Sequence, residues 1–412
     1  MKKEKPFQIT KRAVFEAFKK VEANKGAPGI DEVTLQEYEN NLEDNLYKLW
    51  NSMSSGSYFP QAVRGVEIPK KNGGVRVLGV PSIDDRIAQN VMVSELNPKV
   101  EPIFYEDSYG YRENKSAIDA IEVTRKRCWE YDWLIEFDIV GLFDNINHDL
   151  LMKAVKQHTN EKWVILYIER TLKVPMVMSD GIHVERTKGT PQGGVISAVL
   201  ANLFMHYAFD HWMTRKHSNN PWVRYADDGL IHSHSLKEAE VLLLKLGERF
   251  KDCHLEIHPN KTKIIYCKDD NRKQNHIHTN FDFLGYTFRA RTVKTKKGNY
   301  FTGFTPAVSK IAIKSFMDKI KKLRKNSYLS LTELAEKMNP IIRGWANYFD
   351  KFTASKVHAI LSCVNLSLAR WMMKKSKRYK NKFMAALRRL SSIAEETPSL
   401  FVHWKMGICP KN

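Results

Sequence analysis

The chain has 412 residues, 43% hydrophobic and 11% aromatic, with 66 Lys and Arg against 46 Asp and Glu for a formal net charge of +20. So apolar a composition excludes a disordered basic tail, the length leaves room for two to four structural units, and the charge points to a polyanionic partner. The MKKEKPFQITKR start lacks the apolar core of a signal peptide and no apolar run reaches roughly 18 residues, so a cytoplasmic protein, neither secreted nor membrane-spanning, is expected.

Five cysteines (Cys128, Cys253, Cys267, Cys363, Cys409) lie far apart without a C-x-x-C pair, which fits reduced thiols rather than a disulfide framework or a zinc ribbon. The charge is uneven: residues 301–412 hold 22 Lys and Arg against 6 acids and carry +16 of the +20.

In chain order, residues 10–22 read as a helix, Asn24 to Gly29 as a Gly/Pro loop, and a second helix starts near Thr34. Alternating residues on either side of Lys71-Asn72-Gly73-Gly74 predict a tight β-hairpin that brings Lys70 and Arg76 together. Trp133 to Asp138 reads as a buried strand with an acid at its C-terminal end, followed by a helix over 147–158. A second glycine-rich loop, Gly189 to Gly194, leads into an apolar helix over 195–212. Trp222 to Ile231 predicts two short strands around the acidic turn Asp227-Asp228, with a helix over 235–255 and a strand pair over 281–288 behind it. After Pro306 the pattern becomes helical, at 309–326, 331–349 and 354–390. This switch coincides with the charge switch and marks the expected domain boundary.

Two adjacent acids at a strand turn, with a third ending another strand, suit a two-metal site. Divalent ions about 3.5–4 Å apart need carboxylates on rigid elements to activate a hydroxyl and stabilise a leaving oxygen. Taken singly, Asp-Asp-Gly is also an ordinary hairpin turn. The surroundings favour the first reading. Tyr225-Ala226-Asp227-Asp228, preceded by Gly189-Thr190-Pro191-Gln192-Gly193-Gly194, Phe137-Asp138 and Phe143-Asp144, is similar to the active-site set of reverse transcriptases. Further pieces run in order: NKGAPGID at 24–31, IPKKNGGVRVLGVP at 68–81, DR at 85–86, SYGYRENKSAIDAI at 108–121, FLGYTF at 283–288 and RGWANYF at 343–349. Together they make essentially the whole chain resemble the reverse transcriptase/maturase proteins of bacterial group II introns. Glu113, Ile118 and Ala198 depart from the usual pattern without removing a chemically needed group, and no paired cysteines of a C-terminal HNH-type endonuclease are seen.

The resemblance implies an α+β right-hand polymerase (fingers and palm) followed by an all-α thumb/maturase region: 1–95 N-terminal extension and fingers, 96–300 palm with remaining finger elements, 301–390 thumb/maturase, and 391–412 a short basic tail. It implies two Mg²⁺ ions on Asp138, the adjoining Ile139, Asp227 and Asp228. Lys70, Arg76, Gln192 and Gly193 would contact the incoming deoxynucleoside triphosphate, and Phe143 would exclude a 2′-hydroxyl. Lys261 matches a lysine near the leaving pyrophosphate and is a general-acid candidate, though it also reads as a surface lysine. Trp345, Tyr348 and Phe349, spaced i, i+3, i+4, read as thumb core. Lys374, Lys375, Lys377 and Arg378 read either as a solvated face or as contacts to a nucleic-acid backbone.

The implied activity is RNA-directed DNA synthesis with binding of group II intron RNA, splicing and retrohoming. The implied partners are intron RNA, RNA template, DNA primer, target DNA and dNTPs, in the cytoplasm, nucleoid-associated or in a ribonucleoprotein. A non-catalytic RNA-binding splicing cofactor, and a free-standing cellular enzyme of defence or repair, stay open at this point.

Overall fold

The structure, a computed structural model, describes residues 5–69, 74–294 and 297–411. Lys70 and the hairpin tip at 71–73 lie outside the described residues. The chain forms two compact units, one of residues 1–120 and 135–264, the other of 121–134 and 265–412. The division falls before the last strands of the chain, not at the charge switch.

The strands in chain order are β1 (Val63–Pro69), β2 (Val75–Val80), β3 (Trp133–Phe137), β4 (Met176–Val177), β5 (His183–Val184), β6 (Trp222–Tyr225), β7 (Asp228–Ser233), β8 (Lys263–Tyr266), β9 (Asn280–Phe283), β10 (Tyr286–Lys294) and β11 (Tyr300–Val308). In the first unit, β1 and β2 form the expected antiparallel hairpin, which places Ile68 opposite Arg76 and extends through β4 to β5. A second sheet has the order β6-β7-β3-β8. Its strands β6 and β7 pair Tyr225 with Asp228, leaving Ala226-Asp227 as a two-residue turn. Leu134, Ile135 and Phe137 of β3 are buried, as a strand covered on both faces requires.

Local signals set the helix starts. Thr10 caps Lys11–Asn24, Thr34 and Glu37 close a capping box on Leu35–Asn40, and Asn147 caps His148–His158. The predicted continuous helix over 195–212 is instead Ser197–Met205, a π-turn over His206–Asp210, and His211–Lys216. A π-turn leaves carbonyls without their usual partners. Here Arg249 donates to the carbonyls of Ala208 (3.0 Å) and Tyr207 (2.8 Å).

In the second unit β9, β10 and β11 form a meander in the order β11-β10-β9, followed by helices Lys310–Arg324, Leu331–Lys375, Phe383–Glu396 and Val402–Lys405. Pro306 lies inside β11 opposite Phe288, and the helix after it starts at Lys310, at the expected place. A proline that cannot donate a ladder hydrogen bond is tolerated because β11 is an edge strand. The long helix kinks at Thr353, which has non-helical backbone angles, close to the predicted break. The helix expected over 354–390 is interrupted: Ser376 is extended, Lys377–Tyr379 is a 3₁₀ turn, and Asn381 adopts a positive φ that asparagine accepts.

Residues 401–408 are packed. Phe401, His403 and Trp404 are buried, and Asn365 receives Trp404 Nε1 at 2.8 Å while donating to the Ile408 carbonyl at 3.0 Å. All five cysteines are free thiols. Among the described residues no helix is long and apolar enough to cross a membrane.

Candidate active site

Asp138 follows β3 and is held from both sides of its backbone. His258 N donates to the Asp138 carbonyl (2.8 Å), Val140 N donates to the Glu256 carbonyl (2.9 Å), and Ile139 bridges Ile257. This lacing fixes the turn that starts at His258, whose carbonyl accepts from Lys261 N and Thr262 N. The turn carries Lys261 to Asp138, and the ammonium donates to Oδ2 of Asp138. That bond raises the Lys261 pKa above its usual range.

Asp227 and Asp228 are positioned by a turn that the sequence alone makes unfavourable. Ala226 has φ +57, in the left-handed region where a β-carbon costs about 1 kcal/mol. Arg224 offsets that cost. Fully buried, it donates to the Ala226 carbonyl (3.1 Å), Asn202 Oδ1 (3.1 Å) and Ser108 Oγ (2.8 Å), and forms a two-pronged ion pair with buried Asp210 at 2.7 and 2.6 Å. A β-carbon at Gly110 would sit 2.4 Å from Ala226 N, and one at Gly229 would overlap the Phe137 ring, so both glycines admit close neighbours.

The three carboxylates feel one another. Asp227 is raised by desolvation and then by the negative charge of Asp138. Asp228 is pushed up to about 7 by the protein around it, then by Asp227 and Asp138, even though its outer edge is open to solvent. Like charges gathered at one place favour protons or cations. Among the described residues no group of three His, Cys, Asp or Glu side chains is arranged to hold a metal ion as it stands. Lys261 provides the positive charge at Asp138. By donor type, carboxylate oxygens and the Ile139 carbonyl are the hard oxygen ligands that a divalent cation takes.

A cleft of about 1270 Å³ is lined by Asp138, Asp227, Lys261, Arg76, Gln192 and Phe143 among others, whereas Asp228 and Gly193 do not line it. Gly189 N and Thr190 N donate to the Ile146 and Phe143 carbonyls at 2.7 and 2.6 Å, and Gly79 N donates to the Gln192 carbonyl at 2.7 Å. Gly193 has φ +113 and its missing β-carbon would stand 2.6 Å from the Gly79 carbonyl oxygen. The glycine-rich loop is thus tied to the short helix Leu142–Asn145 on one side and to β2 on the other. Phe143 is half-buried, with its ring edge-on to Tyr111 at 6.2 Å.

In the second unit Trp345 stacks on Phe316 at 4.4 Å, Tyr348 Oη donates to the Leu284 carbonyl at 2.8 Å, and Phe349 meets Tyr286 at 4.9 Å. They pack as core. Lys374, Lys375, Lys377 and Arg378 are exposed around the break after residue 375, and Lys375 donates to the Tyr328 carbonyl at 3.0 Å. Sequence reasoning gave no role to Arg224, Asp210, Tyr111 or Asp144. Tyr111 and Asp144 lay inside quoted motifs and Arg224 inside the strand segment read over 222–231, which was their only signal.

Comparison with known proteins agrees with this geometry. Residues 68–288 match the family described as "Reverse transcriptase (RNA-dependent DNA polymerase)", and residues 313–390 match "Group II intron, maturase-specific domain". The chain is 34% identical over 211 residues to protein YkfC of Escherichia coli (strain K12), covering 48% of this chain and 55% of that one. It is 32% identical over 193 residues to the group II intron-encoded protein LtrA of Lactococcus lactis, covering 46% and 32%. A putative COX1/OXI3 intron 1 protein of Saccharomyces cerevisiae is 33% identical over 168 residues, covering 41% and 20%. The alignments therefore span about half the length of YkfC and about a third of LtrA. The chain belongs to the reverse transcriptase family, and carries a match to the group II intron maturase-specific domain behind it.

Proposed function

We propose that this protein is an RNA-directed DNA polymerase that copies group II intron RNA into cDNA and, through its maturase region, binds that RNA to promote splicing and retrohoming. The observation that carries the reading is the convergence of Asp138, Asp227 and Lys261 with Arg76, Gln192 and Phe143 on one cleft. The family generally uses divalent metals, and two Mg²⁺ ions are the proposed pair. Asp138, Asp227, Asp228 and the Ile139 carbonyl would hold them, and their chemistry there is to acidify a primer 3′-hydroxyl and stabilise the leaving pyrophosphate.

The protein groups divide the remaining work. Arg76 offers a guanidinium fork to the triphosphate, with Lys70 proposed beside it. Gln192 and Gly193 border the nucleotide. Phe143, backed by Tyr111, closes the space a 2′-hydroxyl would need. Lys261, charged and aimed at Asp138, holds a proton where pyrophosphate departs. RNA template, DNA primer, target DNA and dNTPs are the proposed partners, with Lys374, Lys375, Lys377 and Arg378 as backbone contacts, and a cytoplasmic ribonucleoprotein the proposed location. By function, residues 1–95 are assigned to the N-terminal extension and fingers, 96–300 to the palm and 301–390 to the thumb/maturase; residues 391–412, expected as a basic tail, hold two Lys against two Glu and pack on Asn365 of the long helix instead.

Primer extension on poly(rA)/oligo(dT) with Mg²⁺ tests the reading. Wild-type protein extends the primer, whereas Asp227→Asn and Asp138→Asn abolish extension while keeping the unfolding temperature and RNA affinity. Near-wild-type rates in either variant would remove the assigned site.

A further inference from the structure

We infer that Asp144 is a positioning residue that fixes the orientation of the Gln192 amide and, through it, of Arg76 toward the incoming nucleotide. The inference rests on the polymerase reading above. Arg76 Nε donates to Gln192 Oε1 at 2.5 Å, and Gln192 Nε2 donates to Asp144 Oδ2 at 2.8 Å. A guanidinium only donates and an ionised carboxylate only accepts, so a single amide orientation satisfies both ends. Hydrogen bonds to charged groups are the stronger kind, and this amide has one at each end.

The backbone keeps the three residues in reach. Asp144 lies in the short helix that also carries Phe143, and the loop bearing Gln192 is pinned to that helix and to β2, the strand of Arg76. Arg186 completes the surroundings. Its half-buried guanidinium, with no hydrogen-bond partner for Nε, lines the same cleft, and the negative charge of Asp144 acts on it. Without Asp144 the amide is free to turn its NH₂ group toward Arg76, donor against donor. Arg76 then loses the acceptor that holds its arm.

Four variants test the relay, with KM for dNTP and kcat measured separately in primer extension. Asp144→Ala, an exposed change, is expected to raise KM roughly fivefold with little change in kcat, the size of one partly solvated hydrogen bond. Gln192→Glu places two carboxylates face to face and raises KM further. Adding Asp144→Asn to Gln192→Glu restores the pattern, because the asparagine NH₂ donates to the new carboxylate while its other oxygen accepts from Arg76. That double variant should recover at least about fivefold in KM over Gln192→Glu, and more than Asp144→Ala combined with Gln192→Glu, which removes repulsion without supplying a donor. An unchanged KM in Asp144→Ala, or equal recovery by the asparagine and alanine doubles, overturns the relay while leaving the polymerase reading standing. Absence of extension by wild-type protein overturns that reading and the relay with it.

Discussion

The ammonium of Lys261 donates to Oδ2 of Asp138 across 123 positions of chain. The contact occupies an oxygen of a metal-ligand candidate, so a divalent ion bound at Asp138 would compete with the lysine for it.

Lys261→Met separates the lysine's two possible parts. If it protonates the leaving group, kcat falls about 10²-fold while the Mg²⁺ concentration for half-maximal rate stays level or drops, since a competitor for Asp138 is gone. Titrating Mg²⁺ in single-nucleotide extension checks this. Unchanged kcat with tighter Mg²⁺ dependence would make the lysine a stand-in charge only.

Phe143→Val is expected to raise the ratio of rNTP to dNTP incorporation by roughly tenfold or more, because the half-buried ring edge-on to Tyr111 walls off one side of the cleft. Competing rNTP and dNTP extension measures the ratio. A constant ratio would leave Phe143 as a packing residue.

The legible parts of this molecule are those where chemistry forces a residue type into a fixed place. Asp138, Asp227 and Phe143 were readable because their motifs keep local spacing, and the cap residues Thr10, Thr34 and Asn147 because a helix start needs a nearby side-chain acceptor. What supports the acidic turn was not readable. The Arg224–Asp210 pair joins a strand to a π-turn, and nothing local in either segment says that the two charges meet inside the core. The same holds for Pro306, a breaker by composition, whose place on an edge strand depends on which strands β10 pairs with.

His403 gives a pH prediction with a defined sign. Trp404 Nε1 can only donate, so Asn365 presents Oδ1 to both rings and His403 must donate from Nε2, leaving a bare, buried Nδ1. Desolvation of this neutral ring holds its pKa down to about 3. A depressed histidine pKa means stability is full above the unfolded value of about 6.5 and is lost as pH falls toward the folded value, by up to about 1.4 kcal/mol per pH unit. His403→Gln keeps a donor without a titration. Urea unfolding from pH 7 to pH 4 should therefore show a shallower loss of stability in the variant than in wild type. Parallel curves would mean that His403 does not set the acid limit.

The exposed cations around the break after residue 375 separate polymerase from maturase behaviour. Converting Lys374, Lys375, Lys377 and Arg378 together to Gln removes four charges, of which Lys375 donates to the Tyr328 carbonyl and Arg378 lies over the Tyr379 ring. If each meets a phosphate, every lost contact lowers the log–log salt slope of RNA binding by roughly 0.7 to 0.9. Neutralisation also weakens long-range steering, whereas the acids of the first unit keep their chemistry once primer–template is saturating. Splicing of a cognate intron should fall more than saturated extension on poly(rA)/oligo(dT). Filter binding across a salt series, splicing rate and saturated extension rate are to be read on the same fourfold variant. An unaltered slope with unchanged splicing would mean that these side chains face only water.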